Sequence, residues 1–308
     1  APHRGVQHHM KKHGSMRRTR FDTGFDIITT ILLVLALLIV LYPLYFVVIA
    51  SVSDATSISS GQVILLPKNV SMVGYQRILQ DARIGSGYVN SILYTLGSTL
   101  IGVTTTVMAG YRFSRSDLAG RKLLMLLYVF TMYFNGGLIP TYLVVKQLGL
   151  MGSPWVVILL GSVSVYNIII ARSFFTNNIP PELFEAASID GCGNGRFFIS
   201  IVVPLSKSII AVLALYYAVA QWNGYFNALV YLNRQEQYPL QLILREILIS
   251  SQMVQADIGD LDAIQEMQRI AATVKYGVIV VASVPMLMIY PLVQKYFVKG
   301  VMIGSVKE

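Results

Sequence analysis

Six stretches of this 308-residue chain contain no Asp, Glu, Lys or Arg: residues 27–53, 84–111, 123–145, 147–171, 208–233 and 276–294. Nothing else in the sequence limits the fold so tightly. A helix rising about 1.5 Å per residue needs about 20 residues to cross a hydrocarbon core of about 30 Å. The first five runs have that length. The sixth reaches it when residues 296–298 let Lys295 extend toward the surface. Pro43, Gly97, Gly102, Pro140, Pro285 and Pro291 lie within these runs, and bilayer helices tolerate such residues. The first run is too long for a signal-peptide core of about 7–15 residues. The expectation is an all-α integral membrane protein with six transmembrane helices. Its low charge agrees, at 13% against about 25% for a soluble domain.

The basic residues give the direction. With the N-terminus inside, residues 1–26 hold six Lys and Arg, 112–122 hold four, and 172–207 and 295–308 hold three each. Sixteen of the 24 then face the cytoplasm, in agreement with the positive-inside rule. Both termini are expected inside. The chain divides into a cytoplasmic tail over 1–26, a six-helix permease domain over 27–298 and a second cytoplasmic tail over 299–308. Outside, 234–275 carries Asp257, Asp260, Asp262 and Glu266 without the order of a calcium loop, so it reads as a solvated loop or amphipathic helix.

Several function classes fall away. His3, His8, His9 and His13 are all in the leader, and Cys192 is the one cysteine. The membrane body therefore has no Ser-His-Asp or Cys-His constellation, no disulfide and no metal-binding helix. The basic residues flank apolar runs rather than line a face, which removes nucleic acid as a partner. A Gly-x-x-x-x-Gly-Lys-Ser/Thr loop is absent, so this chain has no phosphate cradle of its own.

One cytoplasmic passage stands apart: "PPELFEAASIDGCGNG", residues 180–195. Pro180 and Pro181 suit the start of a helix, where no intrahelical N–H partner is needed. Glu182 and Glu185 follow in the early turns and complement the helix dipole. Gly191 and Gly193 end it. The expected product is a short exposed helix over about 181–191, with Ala186 and Ala187 forming a low-relief surface beside Phe184.

Glu185-Ala186-Ala187, then Asp190-Gly191, then Val203-Pro204-Leu205 resembles the cytoplasmic signature of permease subunits of type I ABC importers. Cys192 and Ser208 depart from the pattern, standing where Ala and often Pro occur. "WNGYFNALVYL" (222–232) and "KYFVKGVMIGSVKE" (295–308) are similar to the carbohydrate-uptake branch, on the side of the smaller maltose-importer permease. "YFNGGLIPTYLVVKQLGL" and "YPLQLILREIL" resemble permeases for oligosaccharides, including alginate-type systems.

The resemblance implies the rest. Residues 181–191 would be a coupling helix seated on an ATPase subunit through Glu182, Phe184, Glu185, Ala186, Ala187, Asp190 and Gly191. Glu185 would pair with a basic residue there, although it can also cap its own helix. Gly300, Gly304 and Lys307 match a tail that reaches the ATPase dimer interface. The partners implied are a second permease subunit, two cytoplasmic ATPase subunits that bind ATP and Mg, and an extracytoplasmic solute-binding protein. The cargo is an oligosaccharide, and the location is the bacterial inner membrane. Tyr216, Asn223, Asn227 and Tyr231 share one arc of an unbroken fifth helix, where they either line a cavity or hydrogen-bond to neighbouring helices. Trp222 either stacks on sugar or packs as an anchor. The competing function is an ATP-independent carrier or channel, which predicts ionisable groups inside spans that have none.

Overall fold

The computed structural model describes residues 20–253, 271, 273–289 and 291. These residues form an all-α protein. The helices are α1 Arg20–Ser51, α2 Ala55–Ser59, α3 Val73–Leu79, α4 Arg83–Ser114, α5 Arg121–Tyr133, α6 Leu138–Gln147, α7 Pro154–Leu160 and α8 Val165–Asn178. Then come α9 Pro181–Ile189, α10 Asn194–Phe197, a π turn over Phe198–Val202, α11 Val203–Leu205, α12 Lys207–Trp222, α13 Phe226–Tyr231 and α14 Leu240–Met253. A final helix, α15, covers Thr273–Ile289.

Six uninterrupted spans are not what the backbone shows. Among the described residues, α1 and α4 alone are each long and apolar enough to cross a membrane. Three further spans arise when bent pairs are taken together: α5 with α6 at 112°, α7 with α8 at 48°, and the segment Asn194–Leu205 with α12 at 80°. The described residues thus supply up to five spans, and α15 is shorter.

Each break has a local cause. Between α5 and α6 the Asn135 Oδ1 accepts the Gly137 N–H at 2.8 Å, a side-chain turn that replaces the next helical bond. Between α7 and α8 the Ser164 Oγ caps the new helix by accepting the Asn167 N–H at 3.4 Å. The Ser164 N–H, left over at that break, donates to the Tyr217 hydroxyl at 3.1 Å, and that hydroxyl also bonds Thr106 at 2.6 Å. Before α12, the π turn and Pro204 upset the ladder, and the bend falls at Ser206.

α4 is the spine. Near its first turns, Ile84 packs with Ile78, Trp222, Ile243, Leu244 and Val278. Near its last turns, Val107 and Tyr111 pack with Ala171, Phe175, Phe197 and Leu213. Gly110 is what lets α8 approach there. A Cβ at 110 would stand 2.5 Å from the Ala171 Cβ.

α1 behaves differently. Its 18-residue apolar window has 0% burial against the rest of the chain, and only its end, at Ile49, Ala50 and Ser51, is buried. Tyr42 and Tyr45 donate hydrogen bonds to the Ile64 and Leu65 carbonyls, which tie this end to the segment after α2. The tail residues Gly300, Gly304 and Lys307, most of the N-terminal tail and the acidic stretch 257–266 lie outside the described residues.

Candidate functional site

The passage 180–195 builds a compact handle. Pro180 is the N-cap in extended conformation and Pro181 opens α9. The exit is a Schellman turn: Gly191 N–H donates to the Ser188 carbonyl at 3.0 Å and Cys192 N–H to the Ala187 carbonyl at 2.9 Å. Gly191 sits at φ 75°, a conformation other L-residues adopt only at a cost, so it defines where the helix stops.

The two sides of α9 differ. Glu182, Glu185, Ala186 and Ile189 fall at i, i+3, i+4 and i+7 and are exposed, Ile189 by 87%. Leu183, Phe184 and Ala187 turn inward to the cluster around Phe175 and Phe197. The low-relief surface expected from Ala186, Ala187 and Phe184 together is therefore divided. Ala186 is on the open side, and Phe184 and buried Ala187 are the root that holds the helix. Asp190 and Gly191 lie exposed at the helix end. Ile189 was missed in the sequence, although its seven-residue spacing from Glu182 marks it for the same face.

The root is tied to the loop after α4. The Arg115 Cζ lies 3.7 Å from the centroid of the Phe184 ring, and Phe184 meets Phe197 edge-on at 5.1 Å. Arg115 donates to both Asp117 oxygens, at 2.9 and 3.0 Å, and to the Tyr111 hydroxyl at 3.2 Å. These bonds hold the Asp117 carboxyl at about 2, with Arg112 adding to the effect, and they raise Arg115 above its usual value. A displacement of α9 thus pulls on the end of α4.

A second site lies at the break between α12 and α13. The chain leaves the helix at Asn223–Tyr225 and opens a cavity of about 250 Å³. Gln221, Asn223, Tyr225 and Asn227 line it, with Gly161 opposite. The break shifts the helical phase, so the single arc expected for Tyr216, Asn223, Asn227 and Tyr231 does not form. Asn223 and Asn227 reach the cavity. Tyr216 is 40% exposed on α12 away from it, and Tyr231 is buried, stacked on Tyr142 with centroids 6.1 Å apart. Trp222 is buried, and its indole N–H donates to the Ala282 carbonyl at 3.0 Å, so it packs as an anchor between α12 and α15. Gln221 and Tyr225 escaped the sequence reading because a continuous helix would have pointed them elsewhere. Among the described residues no group of three or more His, Cys, Asp or Glu could hold a metal ion.

No protein-family profile matches the chain. Individual relatives do. The polygalacturonan/rhamnogalacturonan transport system permease protein YtcP of Bacillus subtilis (strain 168) is 40% identical over 283 residues, 92% of this chain and 98% of that protein. Protein LplC of the same organism is 36% identical over 95% of this chain and 98% of its own length. Among solved structures, a bacterial ABC transporter involved in the import of the acidic polysaccharide alginate superposes with a TM-score of 0.78 and 30% identity. It covers 92% of this chain and all of the matched chain. This multi-span helical chain belongs to the permease subunits of carbohydrate-uptake ABC importers, assemblies of permease, ATPase and solute-binding protein.

Proposed function

We propose that this chain is one of two permease subunits, the other a different polypeptide, that carry an acidic oligosaccharide inward by alternating access. Two ATPase subunits grip it from the cytoplasm and a solute-binding protein delivers the sugar outside. Six spans cross the inner membrane with both termini cytoplasmic. α1, α4, the three bent pairs and a span that includes α15 make up that number.

The observation that carries the reading is the two-sided coupling helix. Two carboxylates, Ala186 and Ile189 are presented outward, and the opposite side is rooted through Phe184 to the end of α4. Exposed carboxylates around a small apolar patch suit a cleft with basic rims. Rooting is what a lever needs to pass motion into a span. Asn223 and Asn227, with Gln221 and Tyr225, line part of the sugar path, since amides and an aromatic ring match sugar hydroxyls and ring faces. Two similar proteins support an acidic cargo: the galacturonan-type permease and the alginate importer.

The test is to purify the chain with its partner permease, ATPases and binding protein and to measure ATP-driven uptake of short oligogalacturonides in vesicles. Glu185→Lys should keep the permease in the membrane and lower sugar-stimulated ATP hydrolysis by about tenfold or more, in line with the cost of a mispaired interfacial charge. Full stimulation in that variant, or failure of any ATPase to co-purify with the wild type, would sink the reading.

A further inference from the structure

We infer that Arg245 of α14 is a carboxylate-reading residue of the sugar path, the group through which this subunit selects uronates over neutral sugars. The inference rests on the cavity at the α12–α13 break being part of that path. The lining of the cavity is uncharged. Its amides and Tyr225 can read hydroxyls and a ring face, but the wall itself holds no cation to match the charge of a carboxylate.

The cation stands next to that wall. The Arg245 Cζ lies 4.7 Å from the centroid of the Tyr225 ring, and Tyr225 lines the cavity. Stacking uses the flat face of a guanidinium and leaves its five N–H groups free in the plane. Arg245 donates none of them to a hydrogen bond or ion pair among the described residues, although the side chain sits on a half-buried residue. The one acidic neighbour on its helix is already engaged: Glu246 pairs with Arg83 at 2.7 Å, and Arg83 is shared with Asp81 at 2.8 Å. Glu246 is therefore engaged elsewhere, and no ion pair between Arg245 and a carboxylate is present among the described residues.

A planar guanidinium with open donors, mounted on an aromatic ring, fits a carboxylate by two parallel N–H···O bonds. A uronate whose ring faces Tyr225 and whose hydroxyls meet Asn223 and Asn227 brings its carboxylate toward those donors. A neutral hexose in the same place gains nothing from Arg245. The step is binding alone, with no covalent change.

The test uses the complete importer in proteoliposomes with three probes: short oligogalacturonides, the same oligosaccharides as methyl esters, and neutral galacto-oligosaccharides. Arg245→Gln should lower the uptake efficiency of the free acid about tenfold or more while changing both uncharged probes less than about twofold, a discrimination of about 1.4 kcal/mol. Arg245→Lys should recover part of the acid uptake, and Tyr225→Leu should reduce it while Arg245 remains present. Co-purification of the ATPase with each variant checks that the importer still assembles. Equal loss with all three probes, or unchanged uptake of the acid by Arg245→Gln, overturns the inference. Wild-type vesicles that move no carbohydrate with ATP would instead refute the transport reading, which keeps the two failures apart.

Discussion

Gly110 and Ala171 allow a quantitative check of how α4 and α8 meet. A methyl group at 110 would lie 2.5 Å from the Ala171 Cβ and 3.1 Å from the Arg172 nitrogen. Both carbons are fixed to backbone, so relief requires the helices to part by about 1 Å to reach ordinary contact at about 3.5–4.0 Å. A gap of that size forfeits about a quarter to a half of each dispersion contact along the seam, including those of Val107, Tyr111 and Phe175. Overpacking of this kind costs about 1–3 kcal/mol, and the better helix propensity of alanine offsets about 1. Gly110→Ala should therefore destabilise by about 1 kcal/mol. Ala171→Gly alone should cost about 2, roughly 1 from propensity and about 0.8 from the lost methyl. In the double variant the propensity changes cancel and the methyl returns to the same space from the other side. Stability should come back to within about 0.5 kcal/mol of wild type, whereas independent effects would leave it about 3 kcal/mol lower. Thermal unfolding of the detergent-solubilised protein, followed by tryptophan emission including that of buried Trp222, reads the order of midpoints. The double variant should melt above both single variants. A double variant at or below Ala171→Gly would show that the two helices do not touch as described.

Two further outcomes follow from the cytoplasmic side. Arg115→Leu removes the stack on Phe184, worth about 0.5–2 kcal/mol, and should lower sugar-stimulated ATP hydrolysis several-fold without releasing the ATPase. The deficit should be the same at pH 5 and pH 8. Asp117 titrates at about 2, below an ordinary aspartate, so its contribution is complete above about pH 4 and is lost only as pH falls through 2. A deficit that changes between pH 5 and 8 would assign the effect to another group. Removal of residues 300–308 should weaken coupling and leave membrane insertion intact, and normal coupling in that truncation would exclude a tail contact with the ATPase.

Apolar runs identified which parts of the chain belong in a membrane but not where helices would break. The reason is physical: lipid rewards apolar composition, whereas helix continuity depends on single residues that offer the backbone another partner. Asn135, Ser164 and the Asn223–Tyr225 segment each interrupt a run that hydropathy treats as uniform. The helix α9 was legible because its signals are local: two prolines to start it, a glycine at φ 75° to end it. Its inward side was not, because the partner of Phe184 is Arg115, nearly seventy residues away in sequence. Arg245 was hidden for another reason: its neighbour Tyr225, twenty residues earlier, takes its place only because the helix breaks after Trp222.

α1 differs in kind from the rest of the molecule. A Leu- and Ile-rich surface that meets lipid gains nothing further by meeting protein, since the two environments are equally apolar. Its position is thus a matter of partition rather than assembly. Burial against the bundle is reached only in the last turn, from Ile49, after the hydrogen bonds of Tyr42 and Tyr45 have brought the helix to it. The chain contains two energetic regimes joined in one helix: a mast that obeys the bilayer, and a foot that obeys the bundle.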